Sequence, residues 1–200
     1  MQQSAMDIPL RRARAADDSR KMRPMIPFLP IVLAFASLAF ATANARADAE
    51  TQREDQFKAA YVVNFVKFVE WPPGAMADTL TICFVGGEGV YSALTVDIAN
   101  KRVGQRRLAA LQLIDPPVSG TCNALYLDAS MAPGYPLRLE PALLTISDSN
   151  GFASNGGMIG LFTENHRLRF IINLQNANTA GLRISSELLK LAVAVKRESP

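Results

Sequence analysis

Apolar positions recur at intervals of three and four residues between Gln52 and Glu70, which predicts an amphipathic helix. Its apolar face comprises Phe57, Ala60, Tyr61, Asn64, Phe65, Phe68 and Val69. Trp71-Pro72-Pro73-Gly74 follows directly. Because proline disfavours helical backbone in the residue before it, this segment should end the helix.

Beyond that turn, short and nearly continuous apolar runs are typical of buried strands. They are Leu80–Val85, Leu108–Ile114, Asn123–Leu127 and Leu143–Ser147. Val90, Leu94 and Ile98 keep helical spacing and predict a helix over Val90–Ala99. The chain should close with a hairpin of Met158–Thr163 and Leu168–Asn173 and a helix from about Ser185 to Val195, with Ser185 or Ser186 as the N-cap.

Strands that alternate with helices indicate an α/β fold. We therefore expect a three-layer sandwich with a mixed, mostly parallel sheet and a C-terminal hairpin plus helix. No repeat or linker divides the chain after residue 47. Residues 48–200 are accordingly expected to form one domain.

Residues 1–47 have the features of an N-terminal extension and signal peptide. Arg20-Lys21-Met22-Arg23 precedes a 15-residue apolar run, Ile26–Phe40, and Ala45-Arg46-Ala47 fits a cleavage site before Asp48. Ala43-Asn44-Ala45 is a second cleavage candidate. An uncleaved anchor is the alternative, although a membrane span needs about 20 apolar residues. The mature protein is thus predicted to be exported to the periplasm.

Charge is divided unevenly along the chain. The net formal charge is +3, but residues 1–47 contain seven Lys and Arg against three Asp. The remaining 153 residues hold 14 basic and 15 acidic side chains. Nucleic acid is therefore not an expected partner of the folded part, because such binding needs a basic surface.

The chain has an even number of cysteines, Cys83 and Cys122, and exported proteins commonly form disulfides. Cys83 lies within one predicted strand and Cys122 at the start of another, so a disulfide is feasible if those strands are neighbours. Two buried free thiols are the alternative. With one histidine in the chain, no metal site is expected.

Catalytic motifs are weak in this sequence. Gly86-Gly87-Glu88-Gly89 follows a strand and opens a helix, but its spacing is not that of a dinucleotide loop and Glu88 would repel phosphate. A tight turn is the simpler interpretation. His166 is predicted at a hairpin tip, and no nucleophile elbow is present. We expect neither an enzyme nor a cofactor.

Polar side chains are concentrated in the predicted hairpin. Arg167 and Arg169 are two residues apart and share one strand face, close to Glu164. A solvated outer face would explain this pattern. The functional alternative is a partner-binding surface, since arginine makes bidentate contacts and is favoured at interfaces.

Three ordered blocks of the sequence resemble the YfiR family of exported regulators. They are Phe65-x-Lys67-Phe68-x-x-Trp71-Pro72, Phe152-Ala153-x-x-Gly156-Gly157-Met158-Ile159, and the stretch from Glu164-Asn165-x-Arg167-Leu168-Arg169-Phe170 to Ala180-Gly181-Leu182 and Leu188-Leu189-x-Leu191-Ala192. The resemblance runs from about Phe57 to Val195. It covers nearly the whole predicted mature chain.

The resemblance implies a dimeric periplasmic protein that binds and inhibits the sensor part of an inner-membrane diguanylate cyclase, which lowers cyclic di-GMP and so regulates biofilm formation. It also implies an OmpA-like outer-membrane lipoprotein as antagonist. The candidate partner-binding residues are Lys67, Glu70, Trp71, Glu164, Arg167 and Arg169. The rival hypothesis is a periplasmic small-ligand sensor or solute-binding module that uses the Gly86–Gly89 edge of the sheet.

Overall fold

The computed structural model describes residues 29–74, 78–114, 117 and 119–197, with side chains from Arg46 onward except that of residue 47. The charged start of the predicted signal peptide and the side chains of Ala45 and Ala47 lie outside this description. The chain forms two compact units, residues 1–43 and residues 44–200. In the first, residues 29–43 are helical backbone. The account below concerns the second.

Four helices and ten strands are described. The helices are α1 (Leu29–Lys67), α2 (Glu88–Ile98), α3 (Leu174–Thr179) and α4 (Ser186–Leu191). The strands are β1 (Val69–Glu70), β2 (Thr79–Val85), β3 (Arg102–Val103), β4 (Arg106–Leu113), β5 (Ala124–Leu127), β6 (Leu144–Ser147), β7 (Ile159–Glu164), β8 (Arg167–Asn173), β9 (Arg183–Ile184) and β10 (Ala194–Lys196).

Eight of the strands form one sheet in the order β10-β8-β7-β6-β5-β2-β4-β3. Strands β4, β2, β5, β6 and β7 run parallel, and β10 runs parallel to β8. The hairpin β7–β8 and the short strand β3 are antiparallel to their neighbours. The mixed, mostly parallel sheet predicted from the sequence is therefore confirmed.

Alternate residues of the central strands face opposite layers of the molecule, as strand geometry requires. Leu80, Ile82 and Phe84 of β2 join the larger core with α1 and α2. Cys83 and Val85 face the other side, where Leu137 and Phe152 cover them. The layer on this second side of the sheet consists of an irregular segment that contains Leu137 and of a short 3₁₀ turn at Phe152–Ser154.

The prediction of the first helix was wrong in the residue at which the helix ends and in part of its buried face. It ends at Lys67, and Glu70 instead pairs with Arg183 in the two-stranded sheet β1–β9. The fully buried side chains include Val62, Phe65 and Val66. Three residues of the predicted apolar face are exposed, namely Phe57, Ala60 and Asn64.

The terminal helix is also shorter than predicted. Ser185 caps it, since its hydroxyl accepts from the Leu188 amide, so the expected cap is confirmed. The helix ends at Leu191, however, and Ala192 is already extended. Val195 lies in β10, opposite Ile172 of β8. Backbone pairing with the sheet therefore replaces the last predicted helical turn.

Candidate functional site

The hairpin brings three of the predicted contact residues together. Glu164 and Arg167 are paired across the hairpin, and the Arg169 Nε lies 3.9 Å from the Glu164 Oε2. All three side chains are exposed. Asn165 and His166 form the two-residue tip with φ of 50° and 58°, the left-handed backbone that such tight hairpins require. Glu164, Arg167 and Arg169 are called the hairpin surface below.

The other three predicted residues form an α1-end group, Lys67, Glu70 and Trp71. Lys67 is the exposed last residue of α1, and Glu70 is exposed on β1. The Trp71 ring packs partly against the core, yet its buried Nε1 has no hydrogen-bond partner among the described residues. Trp71 lines a cavity of about 310 Å³ together with Val103 and Arg106.

These two groups do not form one surface. The hairpin surface is on β7 and β8, whereas the cavity beside Trp71 is lined by β3 and β4. Five strand spacings separate β8 from β4, which is about 24 Å at roughly 4.8 Å each. The structure therefore places the six predicted residues in two separate groups.

The glycine turn after β2 is tight for steric reasons. Gly86 and Gly87 have φ of 70° and 64°, and Gly87 is the N-cap of α2. A Cβ at Gly86 would lie 2.8 Å from Met131 Cγ and 2.9 Å from Asp128 Cβ. The expected tight βα turn is thus confirmed.

Beside that turn lies a polar cluster that the sequence analysis missed. It comprises Asp55, Lys58, Tyr126, Asp128 and Asp148, here called the carboxyl-edge cluster. The Lys58 ammonium donates to Asp148 Oδ2 over 2.7 Å and lies 3.0 Å from Glu54. The other Asp148 oxygen accepts from the Ala129 amide at 2.8 Å. The cluster thereby fastens α1 to the carboxyl ends of the parallel strands.

Burial and hydrogen bonding shift the pKa values of Tyr126 and Lys58 in this cluster. Burial, followed by the neighbouring carboxylates of Asp148, Asp128 and Asp55, raises the pKa of Tyr126, so its hydroxyl stays protonated. Tyr126 is fully buried, and its hydroxyl makes no hydrogen bond of standard geometry within the described chain. Burial would lower the pKa of Lys58, but hydrogen bonds to Asp148 and Glu54 raise it above 10.5.

Sequence spacing gave little indication of the cluster, because 90 residues separate Lys58 from Asp148. One signal was available. Asp128 and Asp148 each come directly after a buried strand, and the carboxyl ends of neighbouring parallel strands meet at one edge. Within the described residues, no group of three or more His, Cys, Asp or Glu is arranged to hold a metal ion.

Replacing Asp55 with asparagine should raise the melting temperature at pH 7. Burial raises the pKa of Asp55 above its ordinary 3.8, and the side chain lies directly against Gly89. A carboxyl with a raised pKa stabilises the fold below its unfolded value, and that contribution is lost as the pH rises. The advantage of asparagine should therefore vanish below about pH 3.8. Thermal melts across this range, with the exposed Asp48→Asn as control, check the prediction. Equal melting temperatures at pH 7 would contradict it.

A groove lies between α1 and α2 next to this cluster. Its volume is about 890 Å³, and its lining includes Asp55, Ala59, Gly89 and Ala93. Small-molecule sites occupy about 300–1,000 Å³.

None of the helices in the described part of the chain combines the length and hydropathy needed to cross a bilayer.

Comparison with known proteins gives one family match. The sequence model of the YfiR/HmsC-like family matches residues 55–193. No curated protein matches the chain. Among solved structures, one described as the ABC domain in complex with L-Trp from Streptococcus pneumonia is 14% identical with a TM-score of 0.41. The match covers 59% of this chain and 55% of that one, so the chain spans about half its length. A similarity at this level supports no argument about the present protein.

Proposed function

Because the chain belongs to the YfiR/HmsC-like family, we propose that it is an exported regulator that binds the periplasmic sensor part of an inner-membrane diguanylate cyclase and holds that enzyme inactive. The family match over residues 55–193 carries this proposal. Members of the family are periplasmic regulators of diguanylate cyclase signalling rather than enzymes. Export would follow from the signal peptide expected in residues 1–47.

The mechanism is stoichiometric binding without chemistry. A regulator that prefers the inactive conformer of the cyclase shifts its equilibrium by the difference in affinity for the two conformers. A change from 99:1 to 1:99 needs about 5.5 kcal/mol of that difference, which one interface of ordinary size can supply. The hairpin surface supports this role because its three charged side chains are exposed and close together.

Measurement of cellular cyclic di-GMP tests the proposal. Deletion of the gene should raise cyclic di-GMP, and the full-length chain should restore the lower level. Residues 48–200 without the leader should not restore it, because that form stays outside the periplasm. An unchanged level after deletion would refute regulation of a cyclase under the conditions tested.

Arg169→Glu should abolish repression while leaving the melting temperature nearly unchanged. The ion pair of Arg169 with Glu164 is exposed and spans 3.9 Å, so its loss should cost no more than about 1 kcal/mol. Cyclic di-GMP and thermal melts check the two halves of this prediction. Lys190→Glu, on the exposed side of α4, is the control for the charge change. A large drop in melting temperature would instead indicate a structural role for Arg169.

Two further partners rest on the family resemblance alone. An OmpA-like outer-membrane lipoprotein would sequester the regulator, and a second copy of the chain would form a homodimer. Both are part of the proposal.

A small-ligand sensor is the second candidate function. The groove between α1 and α2 has the volume of a ligand site and borders the carboxyl-edge cluster at Asp55. Envelope metabolites that raise the melting temperature, without any change in cyclic di-GMP on deletion, would favour this function over the first.

A further inference from the structure

The outer edge of β4 is open along most of its length. Strand β2 pairs with one side of β4 from Arg107 to Leu113. On the other side β3 pairs only with Arg106 and Arg107. No described strand takes the outer side from Leu108 onward. An open edge presents unpaired amide and carbonyl groups that can accept another strand.

The direction of these groups follows from one hydrogen bond. The Arg107 amide donates to the Asp78 carbonyl on the β2 side. Amide directions alternate along a strand, so the amides of Leu108, Ala110 and Gln112 point outward. The register of β3, with Arg102 opposite Arg107, already uses the Leu108 amide, so the amides of Ala110 and Gln112 are the two available for a strand added to this edge.

The segment lacks the features that normally protect an edge. Leu108–Ile114 contains no charged residue and no proline. Leu111 is 42% exposed and Ile114 is 93% exposed. A partner strand would therefore gain apolar contacts as well as backbone hydrogen bonds.

Three exposed arginines lie at the amino end of this edge, namely Arg102, Arg106 and Arg107, here called the arginine cluster. Arg102 is directly opposite Arg107 across the strands, an arrangement of like charges that costs stability. The Arg102 guanidinium donates to the Gln105 carbonyl, and none of the three forms an ion pair within the described residues. The cluster is therefore suited to an added carboxylate.

The cavity beside Trp71 lies at the same end of this edge. Arg106 lines it, and the indole Nε1 of Trp71 is buried without a hydrogen-bond partner in the described chain. Glu70 also lines the cavity, and no ion pair joins it to an arginine within the described residues. A carboxylate placed in this cavity would lie beside Arg106.

We propose that the outer edge of β4 binds an extended segment of a partner protein, which adds a strand to the sheet and places Asp or Glu side chains against the arginine cluster. The identity of that partner as the regulated cyclase rests on the proposed function. Charge favours a partner over a second copy of this chain. Between residues 98 and 127 the sequence holds a single carboxylate, Asp115, too few for three arginines from each of two copies.

A synthetic peptide tests the edge on the full folded domain without the cyclase. The probe is an acetylated Glu-Asp-Glu-Val-Thr-Val-Thr-Val peptide, and the control peptide carries Lys at its three acidic positions. Titration to about 1 mM should show binding of the acidic peptide and affinity for the basic one lower by roughly tenfold or more. Absence of binding by the acidic peptide, or equal affinity for both, would overturn the proposal.

Two variants separate backbone pairing from charge. Ala110→Pro removes an outward amide while sparing the ladder to β2, and it should lower the peptide affinity by roughly tenfold or more. Arg106→Glu/Arg107→Glu should do the same, whereas Lys190→Glu/Lys196→Glu changes the net charge equally on another surface and should bind normally. Melting temperatures establish that each variant is folded. Unchanged peptide affinity in a folded Ala110→Pro variant would overturn strand addition.

Cyclic di-GMP in cells distinguishes failure of this inference from failure of the proposed function. If deletion leaves cyclic di-GMP unchanged, the proposed function fails while the peptide result still decides on the edge. If deletion raises cyclic di-GMP and Ala110→Pro represses normally, the edge is not the regulatory interface and this inference fails alone. Sedimentation tests whether a second copy of this chain occupies the edge. A dimer that Ala110→Pro dissociates would assign the edge to that second copy and overturn the proposal.

Discussion

Replacing Lys58 with methionine is expected to lower the free energy of unfolding by up to about 3 kcal/mol, because breaking one side of a fully buried ion pair costs roughly 3–5 kcal/mol and this pair is partly buried. The Lys58 and Asp148 side chains are only 15% and 10% exposed, and their charged atoms are 2.7 Å apart. Methionine keeps the apolar length of the lysine side chain. The loss would therefore come from the Asp148 carboxylate left among Asp55 and Asp128 without a cation.

Denaturant unfolding measures this change, and an exposed ion pair of the same type is the control. Lys101 and Asp97 form an ion pair four residues apart at the end of α2, and their side chains are 43% and 38% exposed. Lys101→Met should therefore cost no more than about 0.5 kcal/mol. Lys58→Met/Asp148→Asn should recover much of the stability, because the unpaired charge is gone. Similar costs for the two lysine variants would show that the Lys58 pair contributes little.

The contribution of Lys58 to the free energy of unfolding should change with pH in one direction. A lysine whose pKa is raised on folding stabilises the protein below its unfolded pKa, and that contribution is lost as the pH rises through the folded value. The pKa of Lys58 is raised above 10.5. The difference between the wild type and Lys58→Met should hence be full at neutral pH and shrink only above about pH 10.5.

The sequence predicted the central strands well, because the apolar residues that identify a buried strand are adjacent to one another in the chain. Leu80–Val85 is apolar on both faces, and in the structure β2 is covered by α1 on one side and by Leu137 and Phe152 on the other. The hairpin was predicted for the same reason, since its two strands are adjacent in the sequence. Such elements need little information from distant parts of the chain.

The errors occurred where distant pairing overrides helical periodicity. Glu70 fits the spacing of the first helix, but Val69 and Glu70 pair with β9, over 110 residues later. Val195 fits the last helix and instead extends the sheet beside β8. Periodicity gives no information on which backbone groups a distant strand will satisfy.

The same reason limited prediction of the candidate sites. The hairpin surface was accessible from sequence because its residues are neighbours on one turn. The open edge of β4 was not, since it depends on β3 covering only Arg106 and Arg107. Trp71 was identified through a motif, yet its relation to Arg106 became visible only in the folded arrangement.

The disulfide between Cys83 and Cys122 has the second large expected effect. The bond joins β2 to Cys122, two residues before β5, with a Cα–Cα distance of 5.8 Å and 39 residues of separation. In the chain-entropy model, a loop of that length contributes about 4 kcal/mol. Cys83→Ala/Cys122→Ala should therefore lower the free energy of unfolding by roughly 4 kcal/mol.

The native arrangement itself should survive this double substitution, because other bonds hold the same place. The Asn123 amide donates to the Thr81 carbonyl, and the Thr81 amide donates to the Asn123 side chain, both over 2.8 Å. The circular dichroism spectrum of the folded variant should thus match that of the wild type. Reduction of the wild type should cause a similar loss of stability, since it removes the same constraint on the unfolded chain. A loss below about 1 kcal/mol in both cases would mean that the unfolded chain gains little freedom when the bond is absent. A large loss on alanine substitution alone would assign the effect to packing around the two buried sulfurs.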